Sequence, residues 1–192
     1  MAQYTTLNKQ EIESVAAEFS IQDIHSFSVL HGGSENTNYL LKTANGNFVL
    51  TICEQKTAKE ATNLVLTLEH LEKHGFRSSV IIRTKDNDPI GFWGKKPLMV
   101  KVFLEGTVYE DMPTHLLELV GKELGKLHKV PAPDFSSNHL NFGKEKFSDV
   151  RKYDPDSPFE TWLNEQLNSV CPYFKEDLPK ALIHSDIFSN NV

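Results

Sequence analysis

The sequence predicts an α+β fold, in which an antiparallel sheet with one inserted helix is followed by a helical lobe. Runs of alternating apolar and polar residues, separated by turn-forming residues, fill most of residues 24–106. A single stretch with helical periodicity, residues 57–74, interrupts them. After Gly106 the apolar residues recur with the period of a helix. We therefore expect an N-terminal lobe built on the sheet over residues 1–106 and the start of a helical lobe over residues 107–192.

The chain is expected to open with a helix, because Asn8 and Glu11 have the spacing of a capping box and apolar residues follow at helical intervals. Three β-rich runs come next, SFSVL, NYLLKT and NFVLTICE, and the turn signal ANGN separates the last two. This pattern predicts an antiparallel meander. The inserted helix is expected to end before Gly75, which suits the left-handed position that follows a helix.

The sheet is expected to continue through the runs SSVIIRT and IGFWG and the nearly continuous apolar run PLMVKVFLEG. The helical lobe begins with a predicted helix from Pro113 to His128, whose leucines form an apolar stripe. Residues 131–158 are rich in Pro, Ser, Asn and Asp, which predicts a long loop. A short helix over residues 159–170 is expected to follow.

The composition argues against several classes of protein. The net charge is -6 and the pI is near 5.7, whereas a nucleic-acid or membrane partner favours a basic face. No apolar run approaches the length of a membrane span and the N-terminus is not signal-like, so we expect a cytoplasmic protein. The two cysteines, Cys53 and Cys171, are too few and too isolated for a disulfide framework or a zinc site.

The segment HSDIFSNNV carries the clearest chemical signal. It places His184, Asp186 and Asn191 in the spacing H-x-D-x-x-x-x-N after an apolar run. Phosphoryl transfer to an alcohol needs a carboxylate that accepts the hydroxyl proton and an oxygen ligand for Mg²⁺. Asp186 fits the first role, Asn191 fits the second, and His184 is expected to be structural. The alternative is a solvated turn in which Asp and Asn cap backbone amides.

A second signal is the glycine-containing segment between the first two strands. Gly32 and Gly33 have no Cβ, so backbone amides there can approach a phosphate, while Ser34 and Asn36 offer side-chain donors. The segment lacks the Gly-Lys-Ser/Thr of a Walker A loop and is not a dinucleotide motif. It therefore predicts a loop that covers the phosphates of ATP. Without context, a plain hairpin turn is the alternative.

The order of these parts is that of a protein kinase. A glycine-containing hairpin, a sheet with one helix, a strand leading into a helical lobe and the H-x-D-x-x-x-x-N loop follow one another along the chain. In this arrangement the backbone at Val102, Phe103 and Glu105 connects the lobes and is expected to bond the adenine edge. A plain buried strand is the alternative for most of this run.

The segments GGSENTNYLL, NFVLTICE, KPLMVKVFLEG, LVGKELGKLHKV and HSDIFSNNV resemble, in order and spacing, the aminoglycoside phosphotransferase and choline kinase superfamily. The branch that they resemble most is homoserine kinase. The resemblance implies a protein-kinase-like fold, ATP and Mg²⁺ as cofactors, and a small amino alcohol as substrate, with O-phospho-L-homoserine as product. It also implies that Asp186 is the catalytic base and Asn191 a magnesium ligand.

Two departures from the family stand out. Thr51 occupies the position of a phosphate-binding lysine, and the helix glutamate that would hold that lysine falls at Leu64, with Glu60 one turn earlier. Lys42 is one candidate for a substitute cation, although a solvated strand lysine is the favoured interpretation of that residue. Family members also continue into a strand whose aspartate binds magnesium, so the helical lobe is expected to be incomplete and this chain alone inactive.

Two alternatives stay open at this point. One is a related kinase that acts on an aminoglycoside, choline or another amino alcohol. The other is a non-catalytic module that binds a nucleotide. The oligomeric state is also left open.

Overall fold

The structure is a computed structural model that describes residues 5–31, 35–136, 144–173 and 181–189. The chain divides into two compact units, one of Met1–Pro133 with Leu182–Val192 and the other of Asp134–Ala181. Each unit is described by itself below. The predicted lobe boundary after residue 106 stays a prediction. Within the described ranges no helix is long and apolar enough to cross a membrane.

The first unit opens with helix α1, Lys9–Glu18. Its predicted capping box is confirmed, since Glu11 N donates to Asn8 Oδ1 at 3.0 Å and Asn8 N donates to Glu11 Oε2 at 2.7 Å. These bonds satisfy backbone amides that a helix N-terminus otherwise leaves without partners. The apolar side of α1 is fully buried through Ile12, Val15 and Ala16.

The sheet of the first unit contains six described strands, all paired antiparallel. They are β1 (Ile24–Leu30), β2 (Asn36–Thr43), β3 (Gly46–Cys53), β4 (Ile81–Ile82), β5 (Gly91–Trp93) and β6 (Lys96–Val102). The spatial order is β1-β2-β3-β6-β4, with β5 also paired to β6. Helix α2, Ala58–Lys73, is inserted between β3 and β4. The predicted antiparallel sheet with one inserted helix is therefore confirmed.

Alternation along the strands gives the sheet two different faces. Leu41, Leu50 and Val100 point to one face, where they form a buried cluster with α1. The neighbouring residues point to the other face, where Cys53 and Met99 pack with Ala61 and Val65 of α2. Helix α1 therefore covers the first face and α2 covers part of the second.

The segment before α1 is bonded to the sheet. Leu7 N donates to the hydroxyl of Tyr39 at 2.9 Å, and that hydroxyl donates to the carbonyl of Thr5 at 2.9 Å. Tyr39 is 2% exposed, so its hydroxyl needs such partners in the core. A single tyrosine of β2 thereby fixes the chain that leads into α1.

Glu54, which follows β3, lies beside the same segment. Its side chain is 5% exposed and forms an ion pair with Lys96 at the start of β6. Thr37 Oγ1 donates to Glu54 at 2.6 Å, and Lys96 Nζ also donates to Thr5 Oγ1 at 2.8 Å. Burial alone would raise the pKa of Glu54, but the hydrogen bonds from Lys96 and the two threonines outweigh it and lower the pKa.

Helix α2 begins and ends as the sequence predicts. Thr57 caps its N-terminus in a second capping box, with Glu60 as the reciprocal partner. Gly75 has φ +73°, and its amide donates to the carbonyl of Glu72 at 2.9 Å. Glycine adopts this left-handed conformation more readily than residues with a Cβ. Arg83 beyond β4 pairs with Glu69 on the outer side of the helix at 2.7 Å.

Helix α3, Thr114–Leu127, confirms the helix predicted over residues 113–128. Leu127 and Val130 at its C-terminal end pack against Leu71 near the end of α2, and Leu182 joins this cluster. The apolar run before the HSDIFSNNV segment is thus attached to the ends of two helices of the first unit.

The second unit contains a 3₁₀ helix at Lys144–Lys152, helix α4 at Pro158–Val170 and a short 3₁₀ turn at Cys171–Tyr173. The predicted α4 is confirmed, and Ser157 caps it by accepting a hydrogen bond from Glu160 N at 3.1 Å. The predicted loop over residues 131–158 is wrong in part, because Lys144–Lys152 is helical. Arg151 of that helix forms an ion pair with Glu160, whose side chain is 5% exposed.

Candidate active site

Helix α2 leaves part of the second sheet face open. We call this the open face and define it by the residues on that side of β2, β3 and β6: Asn36, Asn38, Leu40, Val49, Thr51 and Lys101. Their places follow from the register, in which Val49 lies opposite Leu40 and Lys101, and Thr51 lies opposite Asn38. All except the buried Thr51 are half-buried. The open face therefore offers an apolar surface with a polar border.

The polar border of the open face consists of hydroxyl and amide groups of β2 and β3. Thr51 Oγ1 donates to Asn38 Oδ1 at 2.8 Å. The amide oxygen of Asn36 is buried and has no hydrogen-bond partner among the described residues. A buried polar atom without a partner is uncommon and marks a place where another group can bind. Asn36 is the first residue of β2, so this group lies just after the glycine-containing segment.

Only the C-terminal end of the predicted phosphate loop lies within the residues that the structure describes. Gly32, Gly33 and Ser34 lie outside the described residues, so their predicted role stays a prediction. Asn36 is the member of that predicted set whose place is known, at the edge of the open face.

Helix α2 does not supply the acidic partner that protein kinases use to hold their phosphate-binding lysine. Glu60 is committed to the capping box, where its carboxylate accepts from the amide and the hydroxyl of Thr57, both at 2.8 Å. These hydrogen bonds lower the pKa of Glu60. Leu64 is 38% exposed and carries no charge. Within the described ranges no ion pair joins α2 to β3, which agrees with the uncharged Thr51.

The backbone after β6 is only partly available for an adenine ring. Val102 N donates to the carbonyl of Val80 at 2.8 Å, and Phe103 N donates to the carbonyl of Asn47 at 2.9 Å. The amides of Leu104 and Glu105 have no hydrogen bond to any described residue. Of the predicted contacts at Val102 and Phe103, only those through carbonyl oxygens are therefore compatible with this backbone.

Asp186 lies in a segment of the first unit without regular secondary structure, residues 182–189, and Leu182 at its start packs against the buried cluster of Leu71, Leu127 and Val130. Its side chain is exposed to solvent, so a substrate can reach it. The preceding residue, Ser185, has φ +64°. The backbone bends at this left-handed residue, just before the carboxylate. His184 is exposed as well.

The predicted magnesium site is not described. Asn191 lies outside the described residues, and the described part of the chain has no group of three or more His, Cys, Asp or Glu side chains that could hold a metal ion. The oxygen donors predicted here, a carboxylate and an amide, are of the type that Mg²⁺ prefers. The chemistry of Asp186 and Asn191 therefore fits Mg²⁺, and magnesium binding by Asn191 stays a prediction.

Lys101 is a residue of this region that sequence reasoning missed. It lies in β6, opposite Val49 of β3 and Ile81 of β4. Burial lowers the pKa of its ammonium group, and an electrostatic interaction with Cys53 acts in the opposite direction. The signal in the sequence was a single lysine inside the apolar run PLMVKVFLEG, where a charged residue is unusual.

Comparison with known proteins adds independent information. The phosphotransferase enzyme family matches residues 26–192. The chain is 32% identical over 203 aligned residues to a homoserine kinase of Parvibaculum lavamentivorans and 30% identical to one of Paramagnetospirillum magneticum. These alignments cover 100% of this chain but 62% and 61% of those proteins. The chain thus spans about three fifths of the length of the curated relatives that it matches.

Solved structures show the same fold at low sequence identity. Spectinomycin phosphotransferase APH(9)-Ia, in complex with ADP and spectinomycin, has a TM-score of 0.70 and 16% identity over 98% of this chain and 65% of that one. An aminoglycoside phosphotransferase of Alicyclobacillus acidocaldarius has a TM-score of 0.61 and 14% identity over 98% and 63%. The predicted protein-kinase-like α+β fold is thereby confirmed. The chain belongs to the phosphotransferase enzyme family, whose pattern it carries from residue 26 to residue 192.

Proposed function

We propose that this chain carries the ATP-binding part and the catalytic loop of a cytoplasmic enzyme that phosphorylates L-homoserine to O-phospho-L-homoserine. The observation that carries the substrate assignment is the match of the whole chain to homoserine kinases. The catalytic assignment is supported by the exposed carboxylate of Asp186 within the same compact unit as the sheet.

The nucleotide is proposed to bind against the open face. Leu40 and Val49 offer half-buried apolar surface for the adenine ring, and the unbonded amides of Leu104 and Glu105 offer donors for its edge. Residues 32–34 would cover the phosphates with their backbone amides. A related fold in spectinomycin phosphotransferase has been observed with ADP and with AMP, which supports a nucleotide site of this kind.

The chemistry assigned to Asp186 is proton transfer. As the acceptor oxygen forms its bond to the γ-phosphorus, the bond from that phosphorus to the bridging oxygen breaks and ADP leaves. The hydroxyl proton passes to the carboxylate of Asp186, which also orients the hydroxyl for in-line attack. Mg²⁺ bound with ATP would neutralise phosphate charge, and Asn191 is its proposed ligand in this chain.

The test is the substitution Asp186→Asn in the full-length gene product, which keeps the size of the side chain and removes its charge. We expect kcat for homoserine to fall by about a hundred- to ten-thousand-fold, the usual contribution of a general base. KM for ATP should change little, because the group acts mainly in the transition state. Steady-state kinetics with ATP and homoserine varied separately measure both quantities.

Asp134→Asn is the matched control, because Asp134 is exposed and makes no hydrogen bond or ion pair with the described residues. Its kcat should equal that of the unchanged enzyme. A normal kcat in Asp186→Asn would remove the proposed base. Turnover of choline or an aminoglycoside instead of homoserine would move the substrate to another branch of the family. ATP binding with no turnover of any acceptor would favour a nucleotide-binding module.

A further inference from the structure

The family position for a phosphate-binding lysine holds Thr51 in this chain, so under the proposed function the place of that lysine is open to another cationic side chain. Three lysines are candidates among the described residues. Lys42 is exposed at the far end of β2, and Lys56 is already paired with Glu35 at 2.6 Å. Lys101 is the third, and its environment differs from that of the other two.

Lys101 lies inside the sheet. Strands β3 and β4 flank it on both sides, with Val49 and Ile81 directly opposite. Its Cα is next to Val100, which is fully buried, and its side chain lies on the same face as Met99, two residues earlier. The stem is therefore held by apolar neighbours on the side of the sheet that carries the open face.

The ammonium group of Lys101 has no counter-charge in the described part of the chain. It makes no hydrogen bond or ion pair with any described residue, whereas the half-buried Lys96 of the same strand is paired with Glu54. A cation withdrawn from water without a partner costs free energy. A charged side chain in this unfavourable environment is a candidate for binding a ligand of opposite charge.

Strand register places Lys101 near Thr51. Lys101 lies opposite Val49, and Thr51 is two residues further along β3 on the same face. Diagonal neighbours of this kind in an antiparallel pair lie about 7–8 Å apart, within reach of a long side chain. Lys101 is therefore a diagonal neighbour of the position that lacks the usual lysine, on the same face as Asn38, which bonds Thr51.

We propose that Lys101 of β6 binds the phosphate groups of ATP and replaces the lysine that is missing from β3. The ligand chemistry is a polyphosphate ester, whose charge would pair with the ammonium group of this half-buried lysine. This inference rests on the proposed function, because it needs a nucleotide on the open face. Lys101 would then be a binding residue that touches the cofactor, supplied by a neighbouring strand.

The experiment compares the affinities of ATP and adenosine by isothermal titration calorimetry on the full-length gene product. Loss of one charge-assisted hydrogen bond should weaken ATP binding in Lys101→Met by about ten- to a hundredfold. Adenosine has no phosphate, so its affinity should change less than about threefold. Lys101→Arg keeps the charge and should retain most of the ATP affinity.

Two further substitutions serve as controls. Lys42→Met tests the competing lysine, and Lys95→Met tests an exposed turn lysine with no described partner. Both should bind ATP as the unchanged protein does. An ATP affinity that is unchanged in Lys101→Met, or lost equally for ATP and adenosine, overturns the inference while nucleotide binding stands. A parent protein that binds neither ligand overturns both the inference and the proposed function.

A second measurement does not depend on a variant that folds. Acylation of lysines in the parent protein, followed by peptide mass spectrometry, reports the accessibility of each amine. ATP should protect Lys101 from acylation and adenosine should not, since only ATP brings phosphate to the amine. Equal labelling of Lys101 in the presence of ATP and of adenosine would overturn the inference.

Discussion

Two charged residues, Glu54 just after β3 and Lys101 within β6, have opposite electrostatic environments. Glu54 receives hydrogen bonds from a lysine and two threonines, which lower its pKa despite its burial. Lys101 has no such partner among the described residues, so burial lowers its pKa. The first residue therefore stabilises the fold, whereas the second is expected to cost stability.

The cost at Lys101 can be measured by unfolding Lys101→Met in urea without nucleotide. We expect the free energy of unfolding at pH 7 to rise on the order of 1 kcal/mol, because methionine fills the site without a charge. The folded pKa of Lys101 lies below the unfolded value of about 10.4, so the wild type regains stability as the pH rises towards that value. The difference between the two proteins should therefore shrink at alkaline pH.

Cys53 is the titratable group that acts on Lys101, and burial raises its pKa. Both proteins contain it, so its titration largely cancels from the difference. Lys95→Met controls for loss of a lysine at an exposed site. A Lys101→Met protein that is less stable by more than about 1 kcal/mol would mean that the fold itself satisfies the ammonium group.

At the scale of secondary-structure elements, the link between Lys96 and Glu54 joins the start of β6 to the end of β3 and to the segment before α1. Lys96→Met would leave the carboxylate of Glu54, whose side chain is 5% exposed, without its cation. Lys96 itself is 40% exposed, which reduces the effect. We expect a loss of about 1–2 kcal/mol in the free energy of unfolding at pH 7, measured by urea denaturation.

The pH dependence of that loss follows from the lowered pKa of Glu54. Its stabilising contribution is complete above the unfolded pKa of about 4.3 and disappears as the pH falls through the folded pKa. The gap between Lys96→Met and the wild type should therefore narrow below about pH 4. Lys126→Met breaks the exposed pair with Glu123 and should cost less than about 0.5 kcal/mol. Equal losses in the two variants would contradict this account.

Local sequence signals predicted a helix correctly where a single residue determines a capping hydrogen bond or a backbone conformation. The capping residues Asn8 and Thr57 and the left-handed Gly75 are determined by neighbours within a few positions, so α1 and α2 could be located from sequence. The 3₁₀ helix at Lys144–Lys152 was missed, because its charged residues gave no helical period and the flanking Pro and Asp residues indicated a loop.

The candidate site was harder to predict, because it depends on register between strands. The motif placed Asp186, and family spacing placed Thr51, but neither reveals that Glu60 is used up in a capping box. Lys101 faces the open face only because β6 pairs with β3 in one register, and a shift by one residue would turn it to the other face. The register between strands that are distant in the sequence cannot be predicted from a local sequence pattern.

At the scale of the whole molecule, the first unit joins three parts of the family pattern: the sheet, α3 and the segment that bears Asp186. The cluster around Leu71, Leu127 and Leu182 connects the last two to the end of α2. A change at this cluster should therefore affect the segment that bears Asp186 and α2 together.

The two cysteines allow the opening of helix α2 from the sheet to be measured as a rate. Cys53 is 1% exposed beneath α2, and burial raises its pKa, whereas Cys171 in the second unit is exposed. Iodoacetamide should alkylate Cys171 at once and Cys53 at least about a hundredfold more slowly, because burial disfavours the thiolate and the reagent reaches the sulfur only when α2 opens. Mass spectrometry follows both, and Cys171→Ser isolates the slow reaction. Similar alkylation rates at the two cysteines would mean that α2 does not cover Cys53 in solution. The alkylation rate of Cys53 therefore reports how often α2 separates from the sheet. A ligand that stabilises the packing of α2 on the sheet should lower that rate.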